Sequence, residues 1–177
     1  TRKESSAASD VYKRQFQGLN LFPKLSVLDN VVVGADRTAR GGPLSMLTGL
    51  GHHHSDEKRL RARAMEALES FGAAQYADRL PGTLPYGVQK QVALARACVA
   101  DPELLLLDEP ASGLSSDQID SLAEQIRTFS EDMAVVLVEH HMDLVMRVCD
   151  HIVVLNFGEV IATGTPHEVR NDPAVTR

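Results

Sequence analysis

The run Leu104-Leu105-Leu106-Leu107-Asp108-Glu109-Pro110 constrains the fold more than any other stretch of the chain. It is an apolar run bounded by Asp101-Pro102 before it and Pro110 after it. Such a run is too short for a buried helix and reads as a strand covered on both faces. Strands of that kind belong to parallel α/β sheets. This one ends in two adjacent carboxylates, and ligands of open α/β sheets bind just beyond the carboxyl ends of the strands. Neighbouring strand residues point to opposite faces, so Asp108 and Glu109 can take different tasks. One can hold Mg²⁺, directly or through water, while the other polarises an attacking water. The competing reading is an acid pair that caps the structure after a core strand.

The surroundings extend the pattern. Ala134-ValValLeuVal-Glu139 reads as a second buried strand, followed by His140 and His141. Ile119, Leu122, Ile126 and Phe129 line one face of a helix predicted over 116–129, and 142–148 reads as another helix. Ile152-ValValLeu and Glu159-ValIleAla read as strands joined by a hairpin at Asn156-Phe157-Gly158. Strand, helix, strand, helix, strand predicts a parallel α/β core. Upstream the chain is helix-rich and reads as a separate lobe. Leu60, Ala64, Ala67, Leu68 and Phe71 recur at helical spacing, with Ser55 as expected cap and Gly72 as expected stop. Leu84 to Gln89, LPYGVQ, reads as a turn opening a helix over 89–100, where exposed amides suit a phosphate oxyanion.

Composition narrows the function classes. The 177 residues fit one domain of ordinary size. Against 24 acidic residues there are 18 basic ones, a net charge of -6, which argues against a dedicated nucleic-acid binder. Cys98 and Cys149 offer neither a disulfide framework nor a zinc site, and read as small apolar residues in a reducing compartment. No apolar run is long enough to cross a bilayer. Residues 1–15 show neither strand nor helix period, have no apolar stretch of a secretory signal, and resemble fused adapter sequence; they are expected to be non-native or disordered.

Other features have plain explanations at this level. His52, His53 and His54 are expected in a solvated loop, without a set of further ligands for a metal. Lys58, Arg59, Arg61 and Arg63 read as a solvated helix face, with lipid headgroups as the alternative. Met142 and Met146 are expected in the core.

Taken in order, the motifs resemble the nucleotide-binding domain of an ABC-type ATPase, over essentially all of residues 16–177. The resemblance implies a partial P-loop NTPase core with a parallel sheet plus an α-helical lobe. Residues 16–17 would be the Q-loop, 18–86 the helical lobe, and 87–177 the C-terminal part of the core. It also implies roles. Gln17 would be the Q-loop glutamine. Leu84, Tyr86, Gly87, Val88 and Gln89 would form the signature that meets nucleotide. Asp108 would end the Walker B strand and, with Gln17, hold Mg²⁺, partly through water. Glu109 would be the general base, Ser115 would lie in the D-loop, and His140 would be the switch histidine. ATP and Mg²⁺ are the implied cofactors. The implied partners are transmembrane permease subunits, a second ATPase subunit and, indirectly, a substrate-binding protein. The implied place is the cytoplasmic face of the membrane, peripherally attached.

LFPKLSVLDNVVVGA, the Tyr-Gly signature and the tail VLNFGEVIATGTPHEVRNDPAV resemble the ATPases of branched-chain amino-acid importers; urea, short amides or lipid-related cargo are the alternatives. A non-enzymatic module that binds a transmembrane subunit, and a non-transport ATPase of DNA repair or translation, are the competing classes. Two departures stand out. No G-x-x-x-x-G-K-[ST] loop occurs, and none of the lysines follows a glycine. The chain is therefore expected to be a C-terminal fragment, with weak or no ATP hydrolysis alone. Pro85 stands where the common signature has Ser, so no hydroxyl or N–H is available there.

Overall fold

The tetraleucine strand sits at the centre of a parallel sheet. The computed structural model describes residues 12–15, 19–35 and 52–175. Strand β2 (Leu104–Asp108) lies between β1 (Tyr12–Gln15) and β3 (Ala134–Val138), and both pairings are parallel. Leu105 faces Val135 and Asp108 faces Val138, so β2 and β3 end side by side. Leu105 and Leu107 are sealed at 0% and 1% exposure. Residues 1–15 are expected to be non-native or disordered; of these the structure describes Tyr12–Gln15, which pair with Leu104–Leu107. Strand pairing uses backbone groups alone, so a short edge strand need not leave a side-chain period. Residues 1–11, 16–18, 36–51 and 176–177, Gln17 among them, lie outside the described residues.

The helical part is built around three helices. Helix α1 (Val27–Ala35) starts at Ser26, whose Oγ accepts the Asp29 amide at 3.0 Å. Asn30 is fully buried and fixes the entry turn: its Oδ1 accepts from the Phe22 amide at 2.7 Å, and its Nδ2 donates to the Ser26 carbonyl at 2.9 Å. Helix α2 (His52–Ser70) buries Leu60, Ala64 and Leu68, with Phe71 just after it. It begins three residues before the expected cap, so His52–His54 are helical rather than in a loop; nothing between His52 and Ser55 breaks a helix. It stops at Gly72, φ +66°, and the Ala73 amide bonds back to the Leu68 carbonyl at 2.8 Å. Helix α3 (Tyr86–Cys98) starts earlier than expected, because Pro85 opens the helix instead of ending a turn. It crosses α1 so closely that a Cβ on Gly34 would sit 2.3 Å from the Arg96 carbonyl oxygen.

Helix α4 (Ser116–Ser130) returns the chain from β2 to β3 and buries Leu122, Ala123 and Ile126. The Phe71 and Phe129 ring centroids stand 5.0 Å apart. One buried cluster runs from Val27 through Leu68 and Leu105 to Leu144. The helix-rich part is therefore not a separate core; it shares its apolar interior with the sheet. Helix α5 (Met142–Val148) follows β3, and Met142 is exposed rather than buried. Strands β4 (Ile152–Asn156) and β5 (Glu159–Gly164) form the expected hairpin through Phe157 and Gly158, both at positive φ. That hairpin is a sheet of its own, so β4 does not join the parallel sheet as the alternation had predicted. A short helix, α6 (Pro166–Arg170), closes the described chain.

The lesser candidates resolve locally. Arg61 pairs with Asp29 at 3.0 Å and Glu57 at 3.3 Å, while Arg63 pairs with Asp101 at 2.5 Å. The two cysteines are half-buried and unlinked. Burial, then the Asp101 carboxylate, pushes the Cys98 thiol up to about 12.

Candidate functional site

The site grows out of the register of β2 and β3. Because Asp108 faces Val138, the residues that follow each strand emerge together at the carboxyl edge of the sheet. The Glu109 amide donates to the Val138 carbonyl at 2.8 Å, extending the ladder by one bond. Then the chain turns sharply. Glu109 has φ +47°, a conformation that residues with a Cβ rarely adopt and that costs about 1 kcal/mol or more. The turn brings Glu109 Oε1 to 4.0 Å from His140 Nδ1. The Glu109 side chain is 32% exposed and that of His140 65%, so both reach solvent. A carboxylate and an imidazole at this spacing can hold one water between them and move its proton.

Glu139, between the two, is built differently. Its side chain is 0% exposed. Oε1 accepts the Ala111 amide at 2.7 Å; Oε2 accepts the His140 amide at 2.9 Å and the His141 amide at 3.2 Å. Burial alone would raise this carboxyl, but the hydrogen bonds from Ala111, His141 and His140 outweigh it and hold it below its usual value. Ligand atoms of Glu139, His140 and His141 lie within 4.8 Å of one another. Both Glu139 oxygens already carry these bonds, so the group is a hydrogen-bonded knot.

The second part is the start of α3. Leu84 is buried, and its carbonyl accepts from Gln89 Nε2 at 2.9 Å. The amides of Tyr86, Gly87 and Val88 belong to the first turn, where a helix leaves N–H groups without intrahelical partners. Val88 packs its side chain on the main core, and Tyr86 is exposed, its ring against Gly113. Lys90, one turn further on, is only 6% exposed. Its Nζ donates to the carbonyls of Pro110 at 2.5 Å and Ser112 at 2.6 Å, and stands 5.3 Å from the Tyr86 ring centre. Burial holds the Lys90 ammonium below its usual value, and Glu139 and Glu109 offset only part of that.

Asp108 is half-buried at the end of β2, a hard oxygen donor of the kind Mg²⁺ takes. It offers one such donor at that strand end; Gln17 lies outside the described residues. Ser115 caps α4: its amide donates to Gln118 Oε1 at 2.9 Å, which engages it in local structure. A cavity between α3 and α4 is lined by Gly87, Lys90, Gln91, Asp117 and Gln118, and includes neither Glu109 nor His140. Sequence reasoning missed Lys90 and gave Glu139 no role. The available signals were a lysine at helical spacing from Tyr86, Ala93 and Leu94 and an acid following a second apolar strand.

Comparison with known proteins places this arrangement. The family model described as ABC transporter matches residues 1–112, and that of the branched-chain amino acid ATP-binding cassette transporter matches residues 159–177. The chain is 36% identical, over 93% of its length, to the high-affinity branched-chain amino acid transport ATP-binding protein LivG of Salmonella typhimurium, and spans 65% of that relative. It superposes on cbiO1 from Clostridium perfringens, part of an ABC transporter complex, with a TM-score of 0.77 and 27% identity, over 99% of this chain and 65% of that one. It also superposes on the dimeric ATP-binding cassette MJ0796 bound to ADP and Pi, with a TM-score of 0.76 and 25% identity, over 94% of this chain and 68% of that one. The fold is that of an ABC ATPase, a P-loop NTPase core with a parallel sheet and attached helices. The chain belongs to the ABC transporter family of ATP-binding proteins.

Proposed function

We propose that the chain is the C-terminal part of an ATP-hydrolysing subunit that drives import of branched-chain amino acids through a membrane permease. The observation that carries the reading is the Glu109–His140 pair, 4.0 Å apart and open to solvent where two parallel strands end. In this reading Glu109 takes the proton of the attacking water, and His140 hydrogen-bonds the terminal phosphate or that water. Asp108, with Gln17, holds Mg²⁺, which offsets phosphate charge. The first amides of α3, with Leu84, Tyr86, Gly87, Val88 and Gln89 around them, face nucleotide held by a second ATPase subunit. Ser115, at the cap of α4, lies in the segment between the two sites. The phosphate grip comes from outside these 177 residues, because they contain no G-x-x-x-x-G-K-[ST].

The solute assignment rests on the match of residues 159–177 and on the likeness to LivG. Among the described residues no helix is long and apolar enough to cross a membrane. The likeness to transport ATP-binding proteins supports peripheral attachment on the cytoplasmic face, through the permease subunits; a substrate-binding protein would be met only through them.

The test is Mg-ATP turnover in two polypeptides: the 177 residues alone, and the same chain joined to an upstream segment carrying a G-x-x-x-x-G-K-[ST] loop. The first is expected to show little or no hydrolysis. The second is expected to hydrolyse ATP and to lose roughly a hundredfold or more in kcat on Glu109→Gln. Hydrolysis by the loop-bearing form that is indifferent to Glu109→Gln would overturn the assignment.

A further inference from the structure

We propose that Glu139 and Lys90 are positioning residues for the Glu109–His140 pair: two buried, oppositely charged side chains that grip the turn 109–112 from either side. This rests on the hydrolytic reading of Glu109 and His140; the grip itself is a separate, structural claim.

The turn needs such a grip. Glu109 keeps a left-handed backbone, φ +47°, without the freedom of a glycine. Backbone of that kind persists only where the surroundings over-determine it. Lys90 supplies one half. Its Nζ reaches the Pro110 carbonyl at 2.5 Å and the Ser112 carbonyl at 2.6 Å, with the Glu109 carbonyl at 3.5 Å. Glu139 supplies the other half, accepting the Ala111 amide at 2.7 Å. A single ammonium thus takes carbonyls from the turn while a single carboxylate takes one of its amides. Neither would do so as well uncharged, since hydrogen bonds to ionised groups are the stronger ones.

Glu139 does a second thing. Its other oxygen holds the amides of His140 and His141. One carboxylate therefore ties the backbone beside Glu109 to the backbone of His140, which sets the spacing between the two functional side chains. Glu139 and Lys90 are both withdrawn from solvent, whereas Glu109 and His140 are not. The buried pair is placed to hold, and the exposed pair to react. Lys90 also sits on α3, whose first turn carries Gly87, so the same contact joins the start of that helix to the turn of Glu109.

Amide hydrogen exchange on the full chain tests the grip. In Glu139→Gln, exchange at Ala111, His140 and His141 is expected to rise roughly tenfold or more, with Val31 and Leu68 changing by less than about twofold. Lys90→Met is expected to act in the same way on Ser112 and Leu114, and Lys90→Arg to restore protection there. Unchanged exchange at Ala111 would overturn the proposal. So would an equal rise at Val31 and Leu68, since that marks a general loss of stability. In the loop-bearing polypeptide, Glu139→Gln should lower kcat roughly tenfold and leave the KM for Mg-ATP within about twofold. An unchanged kcat in a form that hydrolyses overturns the positioning role. If that polypeptide does not hydrolyse ATP at all, the functional reading fails, while exchange still decides whether the grip exists.

Discussion

Strands β2 and β3 run side by side in register, with almost equally apolar sequences, and are covered to different extents. In β2, Leu105 and Leu107 are sealed in the main cluster, which also holds residues of α3 and α4. In β3, their register partners Val135 and Leu137 are only partly buried against that cluster, and on the other face Val136 and Val138 stay 50% and 59% exposed. The hairpin repeats the contrast, with Val153, Leu155, Phe157 and Val160 all exposed. Apolar composition says that a strand gains by being covered. It does not say what covers it: one face of β3 and of the hairpin packs on the core through Val135, Leu137, Ile152 and Val154, while the other stays in solvent among the described residues. The helical part shows the opposite case: Val27, Val31, Leu60, Ala64 and Leu68 each meet a partner helix.

The sharpest way to break this contrast is a pair of truncations. Leu105→Ala should cost about 2–5 kcal/mol, since it opens a cavity in a closed core. Val136→Ala should cost less than about 1 kcal/mol, because its side chain is already half in water. Urea denaturation of both compares them directly, and equal losses would mean that β3 is as well covered as β2.

A smaller effect probes the helical side. Gly34→Ala should destabilise by about 1–3 kcal/mol, because the new methyl meets the Arg96 backbone. Gly82→Ala, with nothing within 4 Å, is the control and should change little. If the two behave alike in thermal melts, the α1–α3 crossing is looser than described.

The smallest effect concerns the junction of the two strands. Glu139 is held below its usual value, so the folded state binds fewer protons there than the unfolded chain. Its contribution is present at neutral pH and is lost as pH falls through the folded-state value, below the ordinary 4.5. The melting temperature of the parent should therefore fall more steeply with acid than that of Glu139→Gln. Parallel curves would show that Glu139 is not the group responsible.

Much of this was legible beforehand. A tetraleucine run ending in Asp108-Glu109 reads as a core strand, and its acids do stand at the carboxyl end of the sheet. The apolar spacing in α2 and α4 marked the faces that are buried, and Gly72 marked a real stop. What failed did so for local reasons. Tyr12–Gln15 pair with β2 through a backbone ladder that needs no side-chain period, Pro85 opens a helix that its Pro-Tyr-Gly context disguised as a turn, and His52–His54 carry no signal separating helix from loop. Lys90 and Glu139 were hidden because burial of a charge depends on partners distant in sequence: the carbonyls of Pro110 and Ser112 for one, the Ala111 amide for the other.

The sequence by itself determined which residues could carry the chemistry, since residue type and local period decide where a strand ends and which carboxylates end it. Only the tertiary structure decided how they meet. The 4.0 Å between Glu109 and His140, and the buried charges around the turn, follow from the register of β2 against β3 and from the contact of α3 with the turn after β2. Hydrogen bonds act over a few ångströms of space, and that proximity is set by packing rather than by distance along the chain.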